Sequence, residues 1–344
     1  MTGGTAEALN MDGEKSMRDP MDGQLLNLLQ VEFPLVVRPF EEMGRKLGMD
    51  DGEALRRVRQ MSTEGLIRRV GVVIDWRRLG FRSTLVALHL PEERLDGAAD
   101  IISQHPGVTH NYGRQHHFNL WFTLTVPPED DPEVEAQILS ARAGAEAAVV
   151  LPSIRVFKIT ATFNMVDSGS PILEIAGNGS AEIAPPLFHL SSEDRAVIRA
   201  LNRELPLDES PFEAAAGQVG LTVERLLERA RALKEAKVVR RYGAVVHHVR
   251  AGFKSNALSC WKVPAEQIEA TGAKVASFPT VSHCYERKTG DGWHYNLFAM
   301  LHASTEDACR SAARDIASAT GIGDYLLLFT RHEYKKERLG YLDD

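Results

Sequence analysis

Cysteine is scarce in this chain of 344 residues, which holds only Cys260, Cys284 and Cys309. Thiols this few and this widely spaced exclude a disulfide framework and a paired-thiolate metal site, and a reducing, cytoplasmic compartment is expected. No run of about 18 apolar residues occurs, so no membrane-spanning helix is expected. Residues 1–20 are polar, carry both signs of charge and lack the apolar core of a secretory leader; they read as a disordered tail. Positive charge is not in excess either. The formal net charge is −7, which does not suit a polyanion binder by bulk electrostatics. A glycine fingerprint for a dinucleotide is missing. The remainder is ordinary for a folded globular chain, with 44% hydrophobic and 25% charged residues.

What is present is a duplication. An offset of 172 residues superposes Phe33-Pro34-Leu35 on Leu205-Pro206-Leu207, Arg68-Arg69-Val70-Gly71 on Arg240-Arg241-Tyr242-Gly243, and Gly80-Phe81-Arg82-Ser83 on Gly252-Phe253-Lys254-Ser255. At an offset of 173, His110, Tyr112 and Arg114 meet His283, Tyr285 and Arg287. At 177, Phe118-Asn119-Leu120 meets Tyr295-Asn296-Leu297, and Phe157-Lys158 meets Tyr334-Lys335. The chain is two copies of one unit, joined by a Gly-, Ser- and Pro-rich connector over 166–192.

Each copy divides again. Residues 21–80 and 193–252 carry the pattern of three short helices and a wing, the latter formed by 67–74 with Gly71 interrupting it. Residues 81–165 and 253–344 read as strand, helix, strand, strand, helix, strand, the order of a ferredoxin-like βαββαβ sandwich. The expected fold is therefore α+β, a tandem repeat of a winged helix-turn-helix plus a ferredoxin-like domain. Such sheets pair in this fold, so an intramolecular pseudo-dimer is expected, with further homo-oligomers left open.

This two-part unit resembles the Lrp/AsnC group of regulators, which implies DNA binding through the winged helix and effector binding through the sheet domain. The charge distribution speaks against the first. Residues 22–75 hold nine acidic and eight basic side chains, and 193–247 hold nine and ten, whereas a DNA reader needs a basic face. Asp50, Asp51 and Glu53 stand at the start of the helix that would meet phosphate. DNA is not an expected partner.

The unusual chemistry lies in the ferredoxin-like parts. Copy 1 reads Tyr112-x-Arg114-x-His116-His117-Phe118-Asn119-Leu120-Trp121-Phe122, and copy 2 reads Cys284-Tyr285-x-Arg287, an insertion, then Trp293-His294-Tyr295-Asn296-Leu297-Phe298-x-Met300. Arg is a permanent bidentate partner for a carboxylate, His carries a proton near neutral pH, and Tyr relays or donates one. Together they suit an acidic substrate that must gain or lose protons. These strings resemble the two subunit types of the siroheme decarboxylases, a likeness extended by Gly243-Ala244-Val245-Val246-His247-His248 and by Tyr334-Lys335-Lys336.

That resemblance implies a carboxy-lyase that removes carbon dioxide from the acetates at C12 and C18 of siroheme, giving 12,18-didecarboxysiroheme. The fused arrangement is similar to the heme d1 pathway version, and heme by the alternative route is the other destination. It also implies siroheme and related decarboxylase subunits as partners, and no cofactor beyond the iron that siroheme carries.

Decarboxylation leaves carbanion character that must be protonated, so a general acid is required. The expected assignment has Arg114 and Arg287 anchoring carboxylates, His116 donating the proton, and Tyr112 and Tyr285 assisting. His248 is the alternative acid in copy 2, where Trp293 replaces His116, and a candidate axial ligand to the substrate iron. Asn119, Trp121, Trp293, Asn296, His117 and His294 complete the expected binding set.

Plainer readings stand beside these. The asparagines satisfy hairpin backbone, the tyrosines are core aromatics, the arginines are ion-pair partners, and His117 and His294 are solvated. His105, His110 and His283 read as turn or packing residues, although the last two recur in register. The cysteines read as packing residues, with Cys284 the only one inside the candidate site.

Overall fold

In a computed structural model the chain is described over residues 19–31, 33–50, 52–159, 175–176, 186–246, 255–290 and 292–339. The first half contains α1 (Pro20–Val31), α2 (Pro39–Leu47), α3 (Glu53–Thr63), β1 (Ile67–Ile74), β2 (Arg82–His89), α4 (Leu95–Ser103), β3 (Val108–Arg114), β4 (Leu120–Val126), α5 (Pro132–Ala143) and β5 (Ala147–Ile159). The two-residue β6 (Ile175–Ala176) pairs with the end of β5. The second half repeats the series as α6 (Ser192–Asn202), α7 (Phe212–Gln218), α8 (Val223–Glu235), β7 (Val239–Val246), β8 (Ser255–Trp261), α9 (Ile268–Ala276), β9 (Val281–Arg287), β10 (Leu297–Ala303), α10 (Glu306–Thr320) and β11 (Tyr325–Lys336). No described helix is long and apolar enough to cross a membrane.

Local chemistry sets the helix ends. Asp131 caps α5 by accepting from the Glu133 and Val134 amides, Pro132 occupies its first turn, and Gly144 closes it at φ 67°. Ser191 and Asp194 form a reciprocal capping box on α6, and Thr222 caps α8.

The helix-turn-helix parts share a single core. Leu25, Leu29, Phe33 and Phe40 of one half pack with Ile198, Leu201, Phe212 and Tyr242 of the other. The expected wing takes a different form from a hairpin within each copy. Residues 67–74 make one unbroken strand, and β1 pairs antiparallel with β7 across the halves, Gly71 opposite Gly243. Val70 faces Ala244 and Val72 faces Tyr242, so the register is symmetric about the glycine pair, as a two-fold relation between equivalent residues requires. Gly243 permits this approach, because a Cβ there would meet the carbonyl oxygens of Leu29 at 2.6 Å and Gln30 at 2.8 Å.

The ferredoxin-like parts each form a sheet in the order β5-β2-β4-β3 or β11-β8-β10-β9, and the two sheets close on each other. Long β5 pairs with β2 and with β9, and long β11 pairs with β8 and with β3. The result is a closed ring of eight antiparallel strands with no open edge. Helices α4 and α5 cover one half through Leu88, Ile102, Phe122 and Leu139, and α9 and α10 cover the other through Trp261, Val275, Leu301 and Ile316. One end of the ring interior is packed by Trp121, Trp293, Phe118, Phe298, Leu151 and Leu328.

Candidate functional site: a chamber shared by the two halves

Above that packed end the ring opens into a cavity of about 890 Å³. Trp121, Leu258 and Phe298 belong both to the packed interior and to the cavity wall, and so form its floor. Gln30, Arg240, Val245 and Val246 from the helix-turn-helix parts close over it, with Leu187 from the connector.

The period-two alternation of a strand decides which motif residues enter. On β3, His110, Tyr112 and Arg114 line the cavity, while Asn111 faces the helices and donates to the Ala99 carbonyl (3.0 Å) and Ser103 Oγ (3.1 Å). On β9, His283, Tyr285 and Arg287 line it, while the Cys284 thiol faces the Gly272 carbonyl of α9. Cys284 thus lies outside the chamber, and burial pushes its thiol pKa up. Two equivalent rows, His-x-Tyr-x-Arg, face a common space.

Each row is held in the same way. Arg114 is 4% exposed, and its Nη1 donates to the Leu328 carbonyl (2.6 Å) and Thr330 Oγ1 (3.3 Å). Arg287 Nη1 donates to the equivalent Leu151 carbonyl (2.8 Å). The guanidinium carbons stand 5.4 Å and 5.0 Å from the ring centroids of Tyr112 and Tyr285. Arg114 Nε has no partner among the described residues, and burial holds the guanidinium pKa down to about 10. A buried cation with a spare donor is a site for an anion. Farther out, Arg77, Arg82, Arg240 and Lys336 add positive charge to the wall.

Other expected residues sit elsewhere. His116 lies in the hairpin beyond the floor, where its Nδ1 accepts from the Phe118 amide (3.1 Å) and its ring meets Trp293 at 5.7 Å. Trp293 packs beneath Trp121 and Phe298 and does not line the cavity. The Asn119 side chain accepts from the Leu90 amide and donates to the Leu90 carbonyl, and Asn296 does the same at Val263. Both asparagines therefore tie the hairpin to the neighbouring strand end. His117 is exposed, its ring stacked on His89 at 3.9 Å, and His294 is exposed too. His248, like its neighbour His247, lies outside the described residues.

Family comparisons agree with this architecture. Residues 78–158 and 250–335 match the AsnC-like ligand binding domain, and residues 22–68 and 194–240 match the siroheme decarboxylase NirDL-like HTH domain. Siroheme decarboxylase of Hydrogenobacter thermophilus is 35% identical over 322 residues, 93% of this chain and 95% of that one. The chain belongs to the siroheme decarboxylase family. The NirDL subunit of Paracoccus pantotrophus is 32% identical over 91% of this chain and 95% of its own. A crystal structure of siroheme decarboxylase NirDL in complex with an iron-uroporphyrin III analogue superposes with a TM-score of 0.72 at 33% identity, covering 94% of this chain and 95% of that one. The siroheme decarboxylase alpha subunit of Desulfovibrio desulfuricans, by contrast, is 40% identical over 147 residues, 43% of this chain and 84% of its own.

Within this decarboxylase fold one arginine in the third helix of each helix-turn-helix is committed to carboxylates. Arg57 of α3 binds Asp19 (2.6 Å), Asp22 (2.7 Å) and Glu53 (2.8 Å). Its equivalent on α8, Arg229, pairs with Asp194 and Glu193. These bridges pin the third helix to the first and neutralise that charge, which a phosphate contact would need.

His110 and His283, expected as turn or packing residues, are instead the histidines of the two rows. Their signal in the sequence is recurrence at the 173 offset, two residues before each tyrosine. His110 Nδ1 lies 2.9 Å from Thr109 Oγ1, and His283 Nδ1 lies 2.9 Å from the equivalent Ser282 Oγ. Burial lowers both pKa values to about 4; Lys336, His283 and Arg68 push the same way on His110, and Lys158 on His283. A histidine with a depressed folded pKa contributes stability that is complete above the unfolded value of about 6.5 and is lost as pH falls toward 4. The ligand-free protein is therefore expected to lose about 1–2 kcal/mol per histidine between pH 7 and 5. Urea midpoints at the two pH values measure this. A double His110→Gln/His283→Gln variant with an unchanged pH slope would refute the assignment.

Proposed function

We propose that the chamber binds one siroheme and that the two rows carry out its decarboxylation to 12,18-didecarboxysiroheme. The observation that carries this reading is a single cavity holding two carboxylate-seeking arginines, each beside a tyrosine and a histidine, over an aromatic floor. Its 890 Å³ lies near the top of the ~300–1,000 Å³ range of ligand pockets. That size suits one large flat molecule, and the cationic wall suits its many carboxylates.

In each step an acetate carboxylate lies against the arginine and the macrocycle lies on Trp121 and Phe298. The bond from methylene to carboxylate breaks, its electron pair stays on the methylene and spreads into the macrocycle, and carbon dioxide leaves. One proton then converts the methylene to a methyl. No electron is gained or lost overall, so the chain needs an acid rather than an oxidant.

His110 and His283 are the donors of this scheme, in place of His116. Neutral when the chamber is empty, they are charged by the approach of a polycarboxylate, which raises the pKa of a neighbouring imidazole. Tyr112 and Tyr285 hydrogen-bond to the reacting carboxylate, and burial keeps the Tyr112 phenol protonated. The product serves heme d1 synthesis in a cytoplasmic setting, as the fused two-type chain suggests.

The test is anaerobic incubation of the full chain with siroheme, followed by mass spectrometry. Successive losses of two carbon dioxide units are expected. Absence of any mass loss, together with salt-sensitive nanomolar DNA binding in a mobility shift, would instead favour a regulator.

A further inference from the structure

We infer that the two halves divide the reaction, each row removing one of the two acetates from a siroheme that stays in a single orientation. This rests on the reading of the chamber as the siroheme site. The first support is symmetry. Arg114 binds the Leu328 carbonyl and Arg287 binds the Leu151 carbonyl, and these carbonyls are equivalent under the 177 offset. β3 pairs with β11 as β9 pairs with β5, and the Gly71–Gly243 pair centres the same relation in the ribbon of β1 and β7. The rows are thus related by an approximate two-fold axis, and both face one cavity sized for one macrocycle.

The substrate offers a matching relation. C12 and C18 are ring carbons of the two unsaturated rings C and D, flanked inward by the propionates at C13 and C17. An axis in the macrocycle plane, through the iron and the methine carbon between those rings, exchanges C12 with C18 and C13 with C17. The acetates on rings A and B hang from saturated, methylated carbons, which cannot pass carbanion charge into the conjugated system. Two rows related by a two-fold axis therefore match the two acetates whose loss the macrocycle supports.

Rings A and B break that symmetry, and so does the wall. Trp121 stands opposite Phe298 in the duplication, Thr123 opposite Met300, and Ile159 opposite Lys336, all lining the cavity. These unequal pairs admit the macrocycle one way round, so each row meets one defined acetate. Both carbon dioxide molecules leave without the substrate turning over, and each half supplies one proton.

The experiment compares Arg114→Gln with Arg287→Gln in the full chain, with Tyr112→Phe and Tyr285→Phe as a second pair that conserves volume. Each protein is incubated anaerobically with siroheme, and the monodecarboxylated isomers are separated and assigned by the NMR signal of the new methyl. Each variant is expected to accumulate a monodecarboxylated product at least about tenfold above the unmodified enzyme, with opposite isomers from the two halves. The isomer isolated from the Arg114→Gln reaction is then offered to Arg287→Gln, whose first row is intact and is expected to complete it.

Accumulation of the same isomer by both halves, equal loss of both steps in both, or failure of the crossed completion would overturn the division of labour. If the arginine variants do not fold, the tyrosine pair decides by the same criteria. No mass loss with the unmodified enzyme would instead refute the underlying reading of the chamber.

Discussion

The double variant His110→Gln/His283→Gln is expected to decarboxylate siroheme at least ~100-fold more slowly than the unmodified enzyme, within the usual 10²–10⁴-fold worth of a positioned general acid. His116→Gln is expected to keep turnover within about threefold. His110 and His283 line the chamber, whereas His116 lies beyond its floor against Trp293. An acid must come within hydrogen-bond reach of the carbon it protonates, directly or through one water. Glutamine keeps much of the side-chain volume and the contact to Thr109 or Ser282, so a folding loss is not the expected cause. Single-turnover kinetics, with siroheme binding followed by its visible spectrum, separate lost chemistry from lost binding. If His116→Gln abolished the chemical step while the double variant retained it, the hairpin would hold the acid.

Gly243→Ala is expected to destabilise the protein by about 1–3 kcal/mol, the usual cost of forcing an extra methyl into a packed contact. The added Cβ would press on the Leu29 and Gln30 carbonyl oxygens, backbone atoms at the end of α1 that cannot swing away. Because the same spot holds the ribbon between halves, the change strains both the docking of α1 and the pairing of β1 with β7. Thermal unfolding followed by circular dichroism reads this as a fall in Tm of several degrees. Gly97→Ala in α4 is the control. A Cβ there meets nothing within 4 Å, and the gain in helix propensity is expected to stabilise by roughly 0.5–1 kcal/mol. Equal melting shifts in the two variants would refute the close-packing argument.

Some of the site was visible in the order of residues and some was not. Tyr112, Arg114, Tyr285 and Arg287 share a spacing of two, which on a strand means one face, and all four meet in the chamber. The same rule, taken one step back, selects His110 and His283. His116 continues the same spacing, two residues after Arg114 in the Tyr-x-Arg-x-His string, but it falls where the strand has ended and alternation no longer holds. Asn119 and Asn296 recur because both hairpins need the same backbone clamp, and recurrence alone does not separate such a need from catalysis.

The sequence by itself determined the duplication, the βαββαβ order, the near-balance of acidic and basic residues in the helix-turn-helix parts, and membership in a decarboxylase family through two related hairpin strings. These are properties of local pattern, such as hydrophobic period, charge and spacing, which survive without knowing what lies across space. Only the tertiary structure decided that the wings pair with each other, that β5 and β11 close the two sheets into one ring, and that both His-x-Tyr-x-Arg rows face one chamber. Those outcomes depend on pairings between residues more than a hundred positions apart, where edge strands satisfy their backbone groups on the other copy. The net charge of −7 looked ill suited to a polyanionic ligand. Folding resolves that locally, by gathering Arg114, Arg287, Arg77, Arg82, Arg240 and Lys336 around one chamber, with Arg114 buried and a donor to spare.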